Sequence, residues 1–143
     1  MVQVKRTFIV ERPLASMIEY FKDFGHAEQW DPGTRSCTRS DEGPVKVGST
    51  WHNVSEFRGR QTELTYRLDR AEERRLTFIG RNKTATSTDD ISFEPAGDNT
   101  SITYVATINF HGVAKLAEPL LRREFERLGD ETRAQITRVA NAL

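Results

Sequence analysis

A chain of 143 residues with 36% hydrophobic and 29% charged side chains has apolar surface enough for one core and is too polar for a membrane-embedded protein. Its 21 lysines and arginines balance 21 aspartates and glutamates, so the basic excess on which phosphate binding depends is missing and nucleic acid is not an expected partner. No apolar run approaches the ~20 residues of a membrane helix, the first ten residues lack a signal-peptide core, and Cys37 is alone and so has no disulfide partner. The expectation is a reduced, cytoplasmic, single-domain protein spanning residues 1–143 without membrane insertion.

In chain order, Val2, Val4, Phe8 and Val10 alternate with Gln3, Lys5 and Thr7, which predicts a strand. Pro13 opens a helix, where its missing N–H is no loss. Leu14, Met17, Ile18 and Phe21 then fall at helical spacing, and Gly25 stops it. A second short helical piece from His26 to Trp30 ends at the turn Asp31-Pro32-Gly33. Strand candidates follow at Thr34 to Arg39, Thr50 to Phe57, Gln61 to Asp69, a run containing Leu76, Phe78 and Gly80, Thr84 to Glu94, and a last strand through Ile102, Tyr104, Ala106, Ile108 and Phe110. The short polar turns between them predict antiparallel hairpins. From Gly112 the chain reads as helix to Leu143. Leu116, Leu120, Phe125, Leu128, Thr132, Ile136, Val139 and Leu143 form its apolar stripe. Pro119 inside that run predicts a kink or restart near Glu118.

Strand, two short helices, about six further strands and one long helix make an α+β protein with six to seven strands in one curved antiparallel sheet. Such a sheet curls, and the C-terminal helix is the only element long enough to cover its apolar face. Several inward positions are small or polar, including Asn53, Ser55, Gly80, Ser87, Asp89 and Ala106, so space is expected between sheet and helix. Trp51, Asn53, Tyr66, Phe78, Asp89, Tyr104 and Gly129 are the residues expected to line it. Gly129 costs ~1 kcal/mol relative to alanine within a helix. Room for a ligand or for the sheet is one explanation, and a helix that bends or tolerates glycine there is the other.

Val10-Glu11-Arg12-Pro13, Tyr20-Phe21-Lys22-Asp23-Phe24, Gln29-Trp30-Asp31-Pro32-Gly33, Gly43-Pro44-Val45-Lys46-Val47-Gly48, Thr84-Ala85-Thr86-Ser87 and Phe93-Glu94-Pro95 together resemble the START-like superfamily, which includes polyketide cyclase/dehydrase and lipid-transport proteins. The resemblance runs the length of the chain. It implies a helix-grip fold, in which the sheet wraps around the long helix, and a cavity for a lipid-, hormone- or polyketide-like molecule. It carries no catalytic residue across.

The residues add little chemistry of their own. His26, His52 and His111 lack the spacing of a metal site, so neither metal nor cofactor is expected, although His26 could border a cavity entrance. Asp89 is the one candidate general base: facing inward, it would be desolvated and its pKa raised. Exposure is commoner for carboxylates, however, and a bulge at Asp89-Asp90 that turns both to solvent is the favoured expectation. Tyr66 and Tyr104 could donate to a ligand carbonyl or serve as core aromatics, while Trp30 and Trp51 read mainly as packing residues. The leading functional expectation is binding or transport of a small apolar or aromatic molecule by a monomer or homodimer. The alternatives are a cofactor-independent aromatase/cyclase and a protein-interaction module with a vestigial cavity.

Overall fold

The computed structural model describes residues 1–143. Seven strands are laid down where alternation places them: β1 (Val2–Val10), β2 (Thr34–Arg39), β3 (Thr50–Phe57), β4 (Arg60–Glu72), β5 (Arg75–Arg81), β6 (Ala85–Ala96) and β7 (Asn99–Phe110). They form one antiparallel sheet in the order β1-β7-β6-β5-β4-β3-β2. Five of its six pairings are hairpin neighbours. The sixth joins the first strand to the last, with Val2 opposite Ile108 and Val10 opposite Thr100. Bulges occur between Thr34 and Ser36 and between Leu68 and Arg70.

Between β1 and β2 the chain forms α1 (Leu14–Lys22), a 3₁₀ turn (Phe24–His26) and α2 (Ala27–Trp30). Pro13 stands at the start of α1, and the Asp23 carboxylate accepts the Gly25 N–H where that helix gives way to the 3₁₀ turn. After β7 comes another 3₁₀ turn (Gly112–Ala117) and then α3 (Glu118–Ala142), with Pro119 in its first turn. The restart expected near Glu118 is therefore present. It changes the helical phase, and the expected stripe fails at its beginning: Leu116 and Leu120 are each 80% exposed. The buried positions on α3 are Glu118, Leu121, Gly129, Thr132, Ile136 and Ala140. No helix is long and apolar enough to cross a membrane.

Helix α3 lies along β1, held at intervals by arginines. Arg6 donates to the Asp130 carboxylate at 2.8 Å and to the Glu126 carbonyl at 3.0 Å. Arg12 donates to the carbonyls of Ala140 and Asn141 at 2.9 and 3.1 Å, which satisfies orphan acceptors at the negative end of the helix dipole. Gly129 permits the close approach, because a Cβ on it would stand 2.3 Å from Val4 Cγ1. Of the readings open for this glycine, the structure supports room for the sheet.

The inner face of the sheet is covered in two different ways. Toward one end α1, α2 and the 3₁₀ turn between them press Met17, Phe21, Phe24 and Trp30 onto Trp51, Leu68, Leu76, Phe78, Ile91, Phe93 and Ile102, all buried. Phe24 alone meets the rings of Trp30, Trp51, Tyr66 and Phe78. Toward the other end only α3 covers the sheet, and the space beneath it is not filled.

Candidate functional site

That space is a cavity of about 240 Å³, partly open to solvent, with 23 lining residues of which twelve are hydrophobic and none is lysine, arginine or histidine. Inward side chains of β3, β4, β6 and β7 form its walls, and Leu128, Gly129 and Thr132 of α3 contribute its roof. The sequence leaves it hollow for a local reason: Ser55, Ala85, Ser87 and Ala106 are small and point inward, where the other end of the sheet carries Leu, Ile and Phe. Thr62 and Thr84, both exposed, mark the mouth. Beside them Phe57 at the end of β3 stacks on Phe125 of α3, with centroids 5.2 Å apart and planes within 2° of parallel.

Of the seven residues expected to line the cavity, Tyr66, Asp89, Tyr104 and Gly129 do so. Trp51, Asn53 and Phe78 do not. They face inward, but under the packed end. Phe24 covers Trp51 and Phe78, the Trp51 indole N–H donates to Asp23 at 3.0 Å, and Asn53 is consumed by Thr34 and Ser55 at 3.1 and 2.6 Å. Alternation assigns a side chain to a face. It does not show what lies over that face, because the covering helix is remote in sequence. His26 does not border the cavity either. It stacks on Tyr20 with ring centroids 4.3 Å apart.

The expected bulge at Asp89-Asp90 is absent. Strand β6 keeps register through it, with Asp89 opposite Phe78 and Ala106 and Asp90 opposite Thr77 and Val105. Period two therefore sends Asp89 inward and Asp90 outward, where Arg75 meets Asp90 with two hydrogen bonds at 3.0 and 2.6 Å. Asp89 is 6% exposed and accepts a hydrogen bond from the Tyr104 hydroxyl. Burial raises its pKa from 3.8 to about 7. The Tyr104 hydroxyl and, less strongly, that of Tyr66 pull it back, while the charge of Asp31 pushes it further up. The phenols of Tyr66 and Tyr104 are pushed well above 10 by burial first and by the charge of Asp89 second.

Asp31 is the wall residue that pattern reading missed, since Asp31-Pro32-Gly33 registers only as a turn. Its carboxylate does hold the turn, accepting the Gly33 N–H at 3.2 Å and the Thr34 hydroxyl at 2.7 Å. It also borders the cavity, and burial raises its pKa against the opposing effects of Thr34, Gly33 and Arg35. Gly80 likewise matters by what it admits. A Cβ there would stand 2.6 Å from Tyr66 Cζ, so the tyrosine ring of β4 occupies the place a side chain on β5 would take. Cys37 is buried and its thiol is raised to about 12, mainly by burial, so it is a packing residue and a poor nucleophile.

The arrangement is thus an apolar hollow with a few buried polar groups, two of them carboxylates and two of them phenols, converging on one side. Residues 1–141 match the model of the polyketide cyclase/dehydrase and lipid-transport family, and the chain belongs to that family. Its fold is that of START-like proteins. A START superfamily protein from Mycobacterium smegmatis superposes with a TM-score of 0.75 at 15% identity, over 98% of this chain and 94% of that one. The aromatase/cyclase Zhui from a Streptomyces superposes with a TM-score of 0.71 at 14% identity, over 98% and 96%. A Thermus thermophilus protein gives 0.71 at 14% identity, over 96% and 99%. Identities this low speak for the shared fold alone. No curated protein matches the sequence.

Proposed function

We propose that this protein binds a small, mostly apolar molecule in the hollow between the sheet and α3. The observation that carries the reading is the cavity itself: packed interiors leave few voids larger than a water molecule, and this one holds about 240 Å³ behind a partly open mouth. Its volume falls just below the roughly 300–1,000 Å³ of sites for drug-sized ligands, so the occupant is small, of the bulk of one or two fused rings. Apolar walls with a few convergent hydrogen-bonding groups are the usual composition of such sites.

The test is a thermal-shift and calorimetric screen of small aromatics, terpenoid alcohols, short acyl compounds and polyketide-like aromatics. A ligand specific for the folded state raises the melting temperature by mass action. Ala106→Leu, which puts a side chain into the hollow from β7, should abolish the shift while keeping the parent's cooperative unfolding. Intrinsic fluorescence is a poor reporter, because neither Trp30 nor Trp51 borders the cavity. If no compound binds and Ala106→Leu proves more stable than the parent, the hollow is vestigial and the interaction-module reading takes its place.

Asp89 supports a second reading, an enzyme of aromatase/cyclase type. A carboxyl with a pKa of about 7, bonded to a tyrosine in a hollow of apolar walls, has the proton affinity a general base needs near neutral pH. It could take a proton from carbon α to a carbonyl, with Tyr66 or Tyr104 donating to the forming enolate. Turnover of a poly-β-keto compound that disappears in Asp89→Asn would establish it. Binding of the same compound without turnover would leave the carrier.

A further inference from the structure

The charges on the cavity wall are all of one sign. Asp31, Glu56 and Asp89 line it, and no cation does. Two of the three are matched locally. Glu56 pairs with Arg35 at 3.1 Å, and Asp31 holds the Gly33 N–H and the Thr34 hydroxyl. Asp89 is different. It is the most deeply buried of the three, no cation or backbone N–H reaches it, and Tyr104 donates to one of its oxygens, with the Tyr66 hydroxyl the only other donor close enough to act on it. Beyond the weaker pull of Tyr66, the second carboxylate oxygen has no donor in the protein, and Asp89 borders the cavity. A buried carboxylate so sparsely bonded is costly to leave charged, and Asp31 nearby adds to that cost. Its register neighbours Phe78 and Ala106 are apolar, and the one group of the fold that bonds to it is the Tyr104 hydroxyl, which a neutral acceptor would serve as well.

We infer that the ligand is a protonated amine on a small apolar body, its N–H donating to the second oxygen of Asp89. The inference rests on the cavity-binding reading and names the chemical class of its occupant. A ligand cation offsets the charges of Asp89 and Asp31 together, and the attraction is strong where water is largely excluded. A carboxylic acid of the same shape would add a further negative charge to the hollow. An alcohol would satisfy the second oxygen but leave the charge unbalanced.

Three compounds that share a skeleton separate these cases: 2-naphthylethylamine, 2-naphthylethanol and 2-naphthylacetate, titrated calorimetrically against the intact protein. The amine should bind tighter than the alcohol by roughly tenfold or more, since charge-assisted hydrogen bonds are about twice as strong as neutral ones, and the acid should bind weakest. The groups facing Asp89 are Tyr66 from β4, Tyr104 from β7 and Asp31 after α2, while the α3 residues over the cavity, Leu128, Gly129 and Thr132, do not titrate. Amine binding needs Asp89 ionised, so its affinity should be level above about pH 7 and should fall by up to roughly tenfold per pH unit below that, with the alcohol unaffected. This profile tests the assignment in the unaltered protein. Asp89→Asn should bring the amine down to the alcohol's affinity and abolish its pH dependence. An alcohol or acid that matches the amine in the unaltered protein overturns the inference while the binding reading stands. An amine preference that survives Asp89→Asn overturns the assignment to Asp89. Failure of all three compounds to bind at any soluble concentration counts against the cavity-binding reading itself.

Discussion

Strand β6 carries both ends of the sheet in one run. Ile91 and Phe93 are wholly buried beneath side chains of α1 and the turns after it, whereas Ala85, Ser87 and Asp89, on the same face of the same strand, border the cavity. Strands β4 and β7 repeat the contrast, Leu68 against Leu64 and Ile102 against Ile108, with Tyr66 and Tyr104 at the division and touching both regions. The backbone ladder is equally regular on either side. What differs is side-chain size on the strands and the presence of a second cover. One end has large side chains on the strands and four more pressed onto them from the α1–α2 region. The other mixes Leu64 and Ile108 with small side chains at Ser55, Ala85, Ser87 and Ala106, and has an α3 that stands against β1 and spans the hollow without filling it. Stability and binding are thus expected to divide between the two ends of one sheet.

The largest effect expected of that division comes from emptying the packed end. Phe24→Ala removes a ring that touches four others and should cost about 3–5 kcal/mol in denaturant unfolding. Leu128→Ala, which merely enlarges an existing space, should cost well under half as much. Equal costs would break the comparison.

At the division itself, Asp89→Asn should stabilise the protein at neutral and alkaline pH. The folded pKa of Asp89, about 7, lies above the ordinary 3.8. Its favourable contribution is therefore fully present below pH 4 and is lost as pH rises through about 7. At ~1.4 kcal/mol per pH unit that span bounds the gain of the asparagine variant at about 4 kcal/mol, and less if water enters the hollow. Thermal melts should show parent and variant converging near pH 4 and diverging up to pH 8. A variant less stable than its parent at pH 8 would mean that the Tyr104–Asp89 hydrogen bond outweighs the cost of burying the charge.

A smaller effect is expected where α3 meets β1. Gly129→Ala brings a Cβ against Val4 and should destabilise by about 1–3 kcal/mol through overpacking, offset by ~1 kcal/mol of helix propensity. Adding Val4→Ala should recover most of the loss. If Gly129→Ala alone is neutral, α3 can lift from β1 at little cost, and the depth of the cavity is adjustable. The smallest effect belongs to the exposed start of the helix. Leu120→Ser should change stability by no more than about 0.5 kcal/mol, since Leu120 lies outside the buried stripe.

Much of this was legible before any coordinate. The bounds of β2 and β3, the restart at Pro119 and the inward facing of Trp51, Asn53, Tyr66 and Phe78 all follow from alternation and from proline placement. The site was legible only in part. Four of the seven expected wall residues border the cavity, and the three that do not are on the correct face at the wrong end. Asp31 was hidden in a turn signature. The inward Asp89 is not legible in the sequence, because exposure is the usual case for carboxylates and favours a bulge there. The ladder overrules that, and Arg75 accounts for only one of them, Asp90.

By itself the sequence determined the order of strands and helices, the face each side chain takes, and the small residues at one end of β6. These are local consequences of a two-residue or 3.6-residue period and of turn chemistry. Only the tertiary structure decided that β1 closes on β7, that Phe24 fills one end and leaves the other hollow, that Gly129 serves Val4, and that Asp89 meets Tyr104 at the cavity wall. Each of these depends on a contact between segments far apart in the chain, and the period of one segment says nothing about what will be laid across it.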